Sequence, residues 1–206
     1  MKYSIEDLDD STKFILIKRI SYDDIISFVL ANIMKTTPLT LIFWVFCAFF
    51  LFVAVYTRFS IAGLYDYKFI FLHSILGLVV LPILSVPVHE GLHIVPYYIS
   101  GARNIRAGMN LRQLIFYVTA HRYVADRKTF SIVAAFPWFV ISIILFILII
   151  IMPPLWKWSF SLLLFLHSTM CAGDFALLNF YFIKRGKKIY TWDDADKKES
   201  YFYQEL

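Results

Sequence analysis

The sequence predicts an all-α membrane protein: four transmembrane helices, an N-terminal amphipathic helix, and a small cytoplasmic-side β-hairpin between helices 2 and 3. Three observations predict it. Hydrophobic residues make up 60% of the 206-residue chain, against about 45–50% in a soluble domain. The excess falls in four blocks long enough to cross a hydrocarbon core. The basic residues gather beside alternate ends of those blocks, as membrane topology requires.

The blocks run over 38–56, 69–99, 130–152 and 156–183. Each must be helical, because an open strand would leave backbone groups unsatisfied in lipid. The second is interrupted by Pro82 and Pro87, where proline opens a helix and frees carbonyls. Met152-Pro153-Pro154-Leu155-Trp156 forms the tight turn between the last two. Ahead of the first block, Ser21 and Asp24 form a capping pair, and Ile25, Ile26, Val29 and Ile33 then share a face. This helix lies in the interface or packs on the bundle. Two β-prone runs around a turn near Asn110 predict a hairpin over 105–119.

Seventeen of the 20 Lys and Arg residues fall before the first block, between the second and third, or after the fourth. Arg58, Lys68 and Lys157 fall in the other two connections. Both termini and the central connection are therefore expected in the cytoplasm. The chain divides into a cytoplasmic N-terminal segment (1–37), a four-helix transmembrane unit (38–183) and a cytoplasmic tail (184–206). The net charge of +5 is accounted for by this topology, so nucleic acid is not expected as a partner. Cys47 and Cys171 both sit in apolar blocks and suggest no disulfide framework.

Within the second block stands His89-Glu90-Gly91-Leu92-His93. On a helix, the i, i+4 spacing puts both imidazoles on one face, one turn apart. They can hold one zinc ion, with Glu90 placed to take a proton from a water at the open position. Ionisable groups are costly inside a bilayer, so three at this spacing mark a functional site. A catalytic zinc needs a third protein ligand. The metzincin extension is excluded, since Pro96 and Ile99 stand where it needs Gly and His. A glutamate from a later helix is not expected, because Glu199 and Glu205 lie in the polar tail.

Asp174 is the only acidic residue inside the other three spans. A helical rise of 1.5 Å per residue puts His93, His89 and Asp174 about 10, 16 and 15 Å below the cytoplasmic ends of their helices. On the same scale His167 lies about 25 Å in, about two turns deeper, where it could orient substrate, support a ligand, or simply pack with its ring bonded to a backbone carbonyl. Asp174 is thus expected mid-span, with Gly173 leaving room for the second helix. His73 is read as structural, and nothing singles out His121.

Pro87 to Ala102 around the histidine motif, then Ala134-Ala135-Phe136-Pro137-Trp138, then Cys171 to Leu178 with the charged tail, resemble the putative zincin peptidase family of small bacterial membrane proteins. That family is grouped with site-2-protease-like metallopeptidases. The resemblance covers about 76–194 and implies His89, His93 and Asp174 as zinc ligands and Glu90 as general base. Here the aspartate stands in Gly-Asp-Phe, where site-2 proteases present Leu-Asp-Gly. In those enzymes an edge strand binds extended substrate, which the hairpin would do here by β-augmentation.

The resulting expectation is a zinc metalloendopeptidase in a bacterial cell membrane. It would cleave a membrane protein or peptide near the cytoplasmic face. The alternatives are a zinc-binding protein without proteolytic activity, or a zinc-dependent hydrolase of a lipid or other small substrate.

Overall fold

The computed structural model describes residues 3–110 and 115–206. The hairpin turn expected just beyond Asn110, and Lys2 and Arg112 of the charge distribution, lie outside the described residues. A short helix, α1 (Ile5–Leu8), leads into strand β1 (Phe14–Ser21) and then α2 (Ile25–Ile33). The first long apolar helix is α3 (Pro38–Ser60). Thr37 caps it with a reciprocal Thr37–Thr40 pair, and Pro38 occupies the first turn, where no N–H is needed.

The second apolar segment is α4 (Tyr67–Ile75), a π turn over Leu76–Val80, and α5 (Leu81–Ser100), continuous over 34 residues. The π turn admits Pro82 into the first turn of α5, and Ser85 donates its hydroxyl to the Pro82 carbonyl at 2.8 Å. After the hairpin β2 (Ile105–Asn110) and β3 (Ile115–Ala120) come a two-residue strand β4 (Ala125–Asp126) and α6 (Arg127–Ile151). The last apolar segment is α7 (Pro154–Met170) and α8 (Ala172–Ile183), followed by β5 (Ile189–Asp194) and β6 (Glu199–Glu205).

Among the described residues, three helical segments are long and apolar enough to cross a membrane; the pair α7–α8, bent by 42°, makes a fourth if taken as one span. Many large apolar side chains on these helices stay exposed, including Val45, Phe52 and Phe59 on α3 and Ile143, Ile147 and Ile150 on α6. Such belts belong against lipid, so this is an integral, multi-pass membrane protein.

The helices are tied by polar contacts as well as by packing. Ser159 on α7 bonds both His73 Nδ1 (2.8 Å) and the His73 carbonyl (2.9 Å). The close approach is at Gly77 in the π turn, where an added Cβ would lie 2.6 Å from the Ser159 carbonyl oxygen. Gly173 does not serve that purpose, since a Cβ there would meet nothing within 4 Å.

The fold is not purely all-α. β1, β6, β5 and β4 form an antiparallel sheet in that order. This sheet gathers the N-terminal segment, the connection before α6 and the tail at one end of the bundle. Its inner face, with Ile20, Ile189 and Phe202, packs on Phe28, Phe130, Phe180 and Tyr181. Leu8, Phe14, Trp192 and Tyr203 form a second apolar cluster. Arg127 clamps the end of α8 by donating to the carbonyls of Lys184, Arg185 and Lys187. The expected hairpin is present over the described residues, with Ile105 paired to Ala120 and Asn110 to Ile115.

α2 packs on the bundle through Phe28, Asn32 and Ile33, while Ile26 is exposed. Asn179 of α8 holds it in place. Its amide donates to the Asn32 carbonyl at 2.7 Å, and its oxygen accepts from the Thr37 hydroxyl at 2.6 Å.

Candidate metal centre

α5 presents His89, Glu90 and His93 toward α8, and each offers a donor atom within 4.8 Å of the others. Asp174 reaches both imidazoles. Its Oδ2 lies 3.2 Å from His89 Nε2 and its Oδ1 lies 3.5 Å from His93 Nε2. A tetrahedral zinc with bonds of about 2.0–2.1 Å holds its ligand atoms roughly 3.3 Å apart. The two separations bracket that edge length, and the donors are two imidazoles and a carboxylate. These two edges and the donor types suit a divalent metal ion such as zinc.

Asp174 is not mid-helix. The last apolar segment breaks at Cys171, and Asp174 sits in the first turn of α8. There the unpaired N–H groups and the helix dipole favour a negative charge.

Both histidines are held from behind. His93 Nδ1 donates to the Val133 carbonyl at 2.9 Å, which leaves the Nε2 lone pair facing Asp174. That carbonyl is available for a reason written in the sequence. It is the helical acceptor for residue 137, and Pro137 has no N–H to give it. His89 Nδ1 lies 3.1 Å from His167 Nε2. His167 is thus in contact with a ring at the centre. It is 1% exposed and lies behind His89, among none of the described residues that line the cleft. The Cys171 sulfur stands 3.9 Å from His89 Nδ1 and 3.8 Å from His167 Nε2, making a second trio of mutually close donors.

Glu90 is turned away from this backing, into a cleft of about 420 Å³ lined also by Ile25, Val29, Val118 and Asp174. The Val118 N–H donates to its carboxylate. In the β2–β3 ladder alternate residues direct their N–H groups away from the partner strand. His121 N–H bonds to the Asn104 carbonyl, so Val118, an odd number of residues away, points outward from β3 toward α5. The edge of β3 opposite β2 thus runs along the cleft.

A third donor trio, His121, Asp194 and Asp196, lies outside this site. There the Ala195 N–H donates to His121 Nδ1 at 3.1 Å, which puts the ring proton on Nε2, 3.6 Å from Asp196. Neither nitrogen keeps a lone pair for a metal, and the ring serves as a link between the hairpin exit and the β5–β6 turn.

Sequence reasoning missed two contributors. The Val133 carbonyl had a signal, the helix-interior Pro137. The α2 and β5 side chains lining the cleft had none, because they arrive through contacts remote in sequence.

No curated protein and no solved structure matches the chain. The model of the family described as "Putative zincin peptidase" matches residues 82–190, more than half of the chain. The match takes in the histidine pair, Glu90, Val133, Pro137 and Asp174. The donor clusters have the capacity to hold a divalent metal in a membrane-associated enzyme, and the chain belongs to the putative zincin peptidase family.

Proposed function

We propose that this chain is a membrane-embedded zinc endopeptidase in which His89, His93 and Asp174 hold the metal and Glu90 is the general base. The observation that carries this reading is the bridge Asp174 makes between the two Nε2 atoms, at 3.2 and 3.5 Å, with Glu90 left facing the cleft. A structural zinc is closed by four protein ligands, and this arrangement has three and a free carboxylate.

When bound, zinc supplies an acidified water and a Lewis-acid contact for the carbonyl being attacked. Glu90 takes the proton released as that water attacks, and returns it to the amine nitrogen of the leaving fragment. The Val118 N–H holds the Glu90 carboxylate in place for both transfers. Val133 and His167 orient the two histidines. Substrate enters as an extended strand against that edge of β3, since a helical peptide bond would be shielded. Its apolar side chains lie against Ile25, Ile26 and Val29 of α2.

The sheet puts both termini and the central connection at one end of the bundle, and the basic residues are concentrated there. We assign that end to the cytoplasm, in a bacterial cell membrane. Cleavage then takes place near the cytoplasmic face.

The test compares the membrane proteomes of cells carrying the wild-type chain and Glu90→Gln. A membrane-protein fragment produced only by wild type is expected. Fragments equally abundant in both strains would contradict the role of Glu90. A change confined to lipid species would favour a lipid hydrolase.

A further inference from the structure

The cleft has a second polar region, away from the metal ligands. Tyr97, one helical turn beyond His93, lines the cleft, as do Tyr22, Thr119, Ser200 and Asp193. Asp193 projects from the inner face of β5, in register with Ser200 on β6. Its carboxylate accepts the Thr119 hydroxyl at 2.6 Å and the Ser200 hydroxyl at 2.5 Å. Two hydroxyls occupy two of the roughly four acceptor positions of a carboxylate. They do not neutralise it.

No lysine or arginine among the described residues is paired with Asp193. Arg106 pairs with Asp196, and Arg122 meets Asp193 only through its backbone N–H, which bonds to the Asp193 carbonyl. Burial pushes the Asp193 carboxyl above the usual aspartate value, with the two hydroxyls pulling the other way. A secluded carboxylate is costly unless a cation meets it. Asp196, on the outer surface of the same turn, has such a partner, whereas Asp193, facing the cleft, has none among the described residues. The rest of the cleft wall on α2 is apolar, through Ile25, Ile26, Val29 and Leu30.

We propose that Asp193 is the recognition carboxylate for a cationic group on the substrate, a lysine or arginine side chain or a free amino terminus, carried by an otherwise apolar peptide in the same cleft as the metal centre. This rests on the peptidase reading above and narrows it to a substrate class. The cation completes the coordination that Thr119 and Ser200 begin, and so fixes which bond of an extended peptide lies over Glu90. Asp193 stands beyond the residues matched by the family, so the specificity it confers belongs to this chain's tail.

The test uses the full-length Glu90→Gln chain, zinc-loaded in lipid nanodiscs, with fluorescent apolar peptides. One lysine is moved through the peptide position by position and compared with Nε-acetyl-lysine at each. Every peptide is made with a free and with an acetylated amino terminus. At one register lysine should bind roughly tenfold or more tightly than acetyl-lysine, and Asp193→Asn should abolish the difference. An advantage that follows the free amino terminus instead identifies that group as the cation, with the same dependence on Asp193.

Equal binding of charged and neutral forms at every register and terminus overturns the proposal without recourse to an Asp193 variant. So does an advantage that survives Asp193→Asn. Wild-type cleavage of charged and neutral peptides alike would leave the peptidase reading standing and remove the subsite. Charge-dependent binding without any cleavage by wild type would do the reverse.

Discussion

His93 and Val133 are joined by a hydrogen bond of 2.9 Å, from the imidazole Nδ1 to a backbone carbonyl that Pro137 leaves without its helical partner. The proline thus acts on the metal centre from a different helix without touching it. Pro137→Ala would restore an N–H four residues beyond Val133 and draw that carbonyl back into the helix. The metal-free chain should stay folded, since the regained helix hydrogen bond offsets part of the packing lost when the fully buried Pro137 ring is truncated. Zinc affinity should fall roughly 10–100-fold, as for loss of an outer partner. Competition against a buffered chelator, alongside thermal unfolding of the metal-free protein, reads both.

Asp174 meets His89 and His93 through different oxygens. Asp174→Asn keeps the shape and removes the charge. It should weaken zinc by more than the roughly 10–100-fold expected of an outer partner. Glu90→Gln should retain zinc and lose turnover. Metal content after dialysis separates the two, and equal retention by both variants would point to another third ligand.

Gly77 faces α7 with no room for a side chain, its Cβ position being 2.6 Å from the Ser159 oxygen and 2.9 Å from Leu162 Cβ. Since the nearest obstacle is backbone, Gly77→Ala must push α7 away. A loss of about 1–3 kcal/mol is expected. Gly173→Ala should cost far less, because nothing lies within 4 Å of that position. Unfolding of both variants in detergent makes the comparison.

The Asp193 carboxyl is raised above the usual 3.8 by burial. The folded chain therefore holds this proton more tightly than the unfolded chain does. Relative stability falls as pH rises from the unfolded value through the raised one, and the loss is complete above it. Asp193→Asn removes that loss. Its melting temperature should exceed wild type near neutral pH, with the gap closing as the pH approaches about 4. A melting temperature for Asp193→Asn below that of wild type near neutral pH would show that the carboxylate already has a cation in the resting chain.

The long helices could be read from hydropathy, and their ends differ from expectation by a few residues, where caps such as Asp66 and Asp126 set the boundary. The histidine pair was legible because i, i+4 spacing is local. Asp174 was reached by matching depths along helices, and it lies within 3.5 Å of both rings. The four-stranded sheet was not legible. Its β1–β6 ladder pairs Arg19 with Tyr201, so neither strand finds its partner near it in sequence. The break at Cys171 was hidden as well, because no proline marks it and the hydropathy runs through it. Asp193 looked like one charge in a polar tail, and only the fold turns it into the cleft.

The most direct measurement is zinc K-edge X-ray absorption on the purified, zinc-loaded Glu90→Gln chain. His89 belongs to two donor trios, one with Glu90 and His93 and the other with His167 and Cys171. A first shell of nitrogen and oxygen alone at about 2.0–2.1 Å is expected, including two imidazoles. A sulfur at about 2.3 Å would place the metal on Cys171 and contradict the assignment of His89, His93 and Asp174.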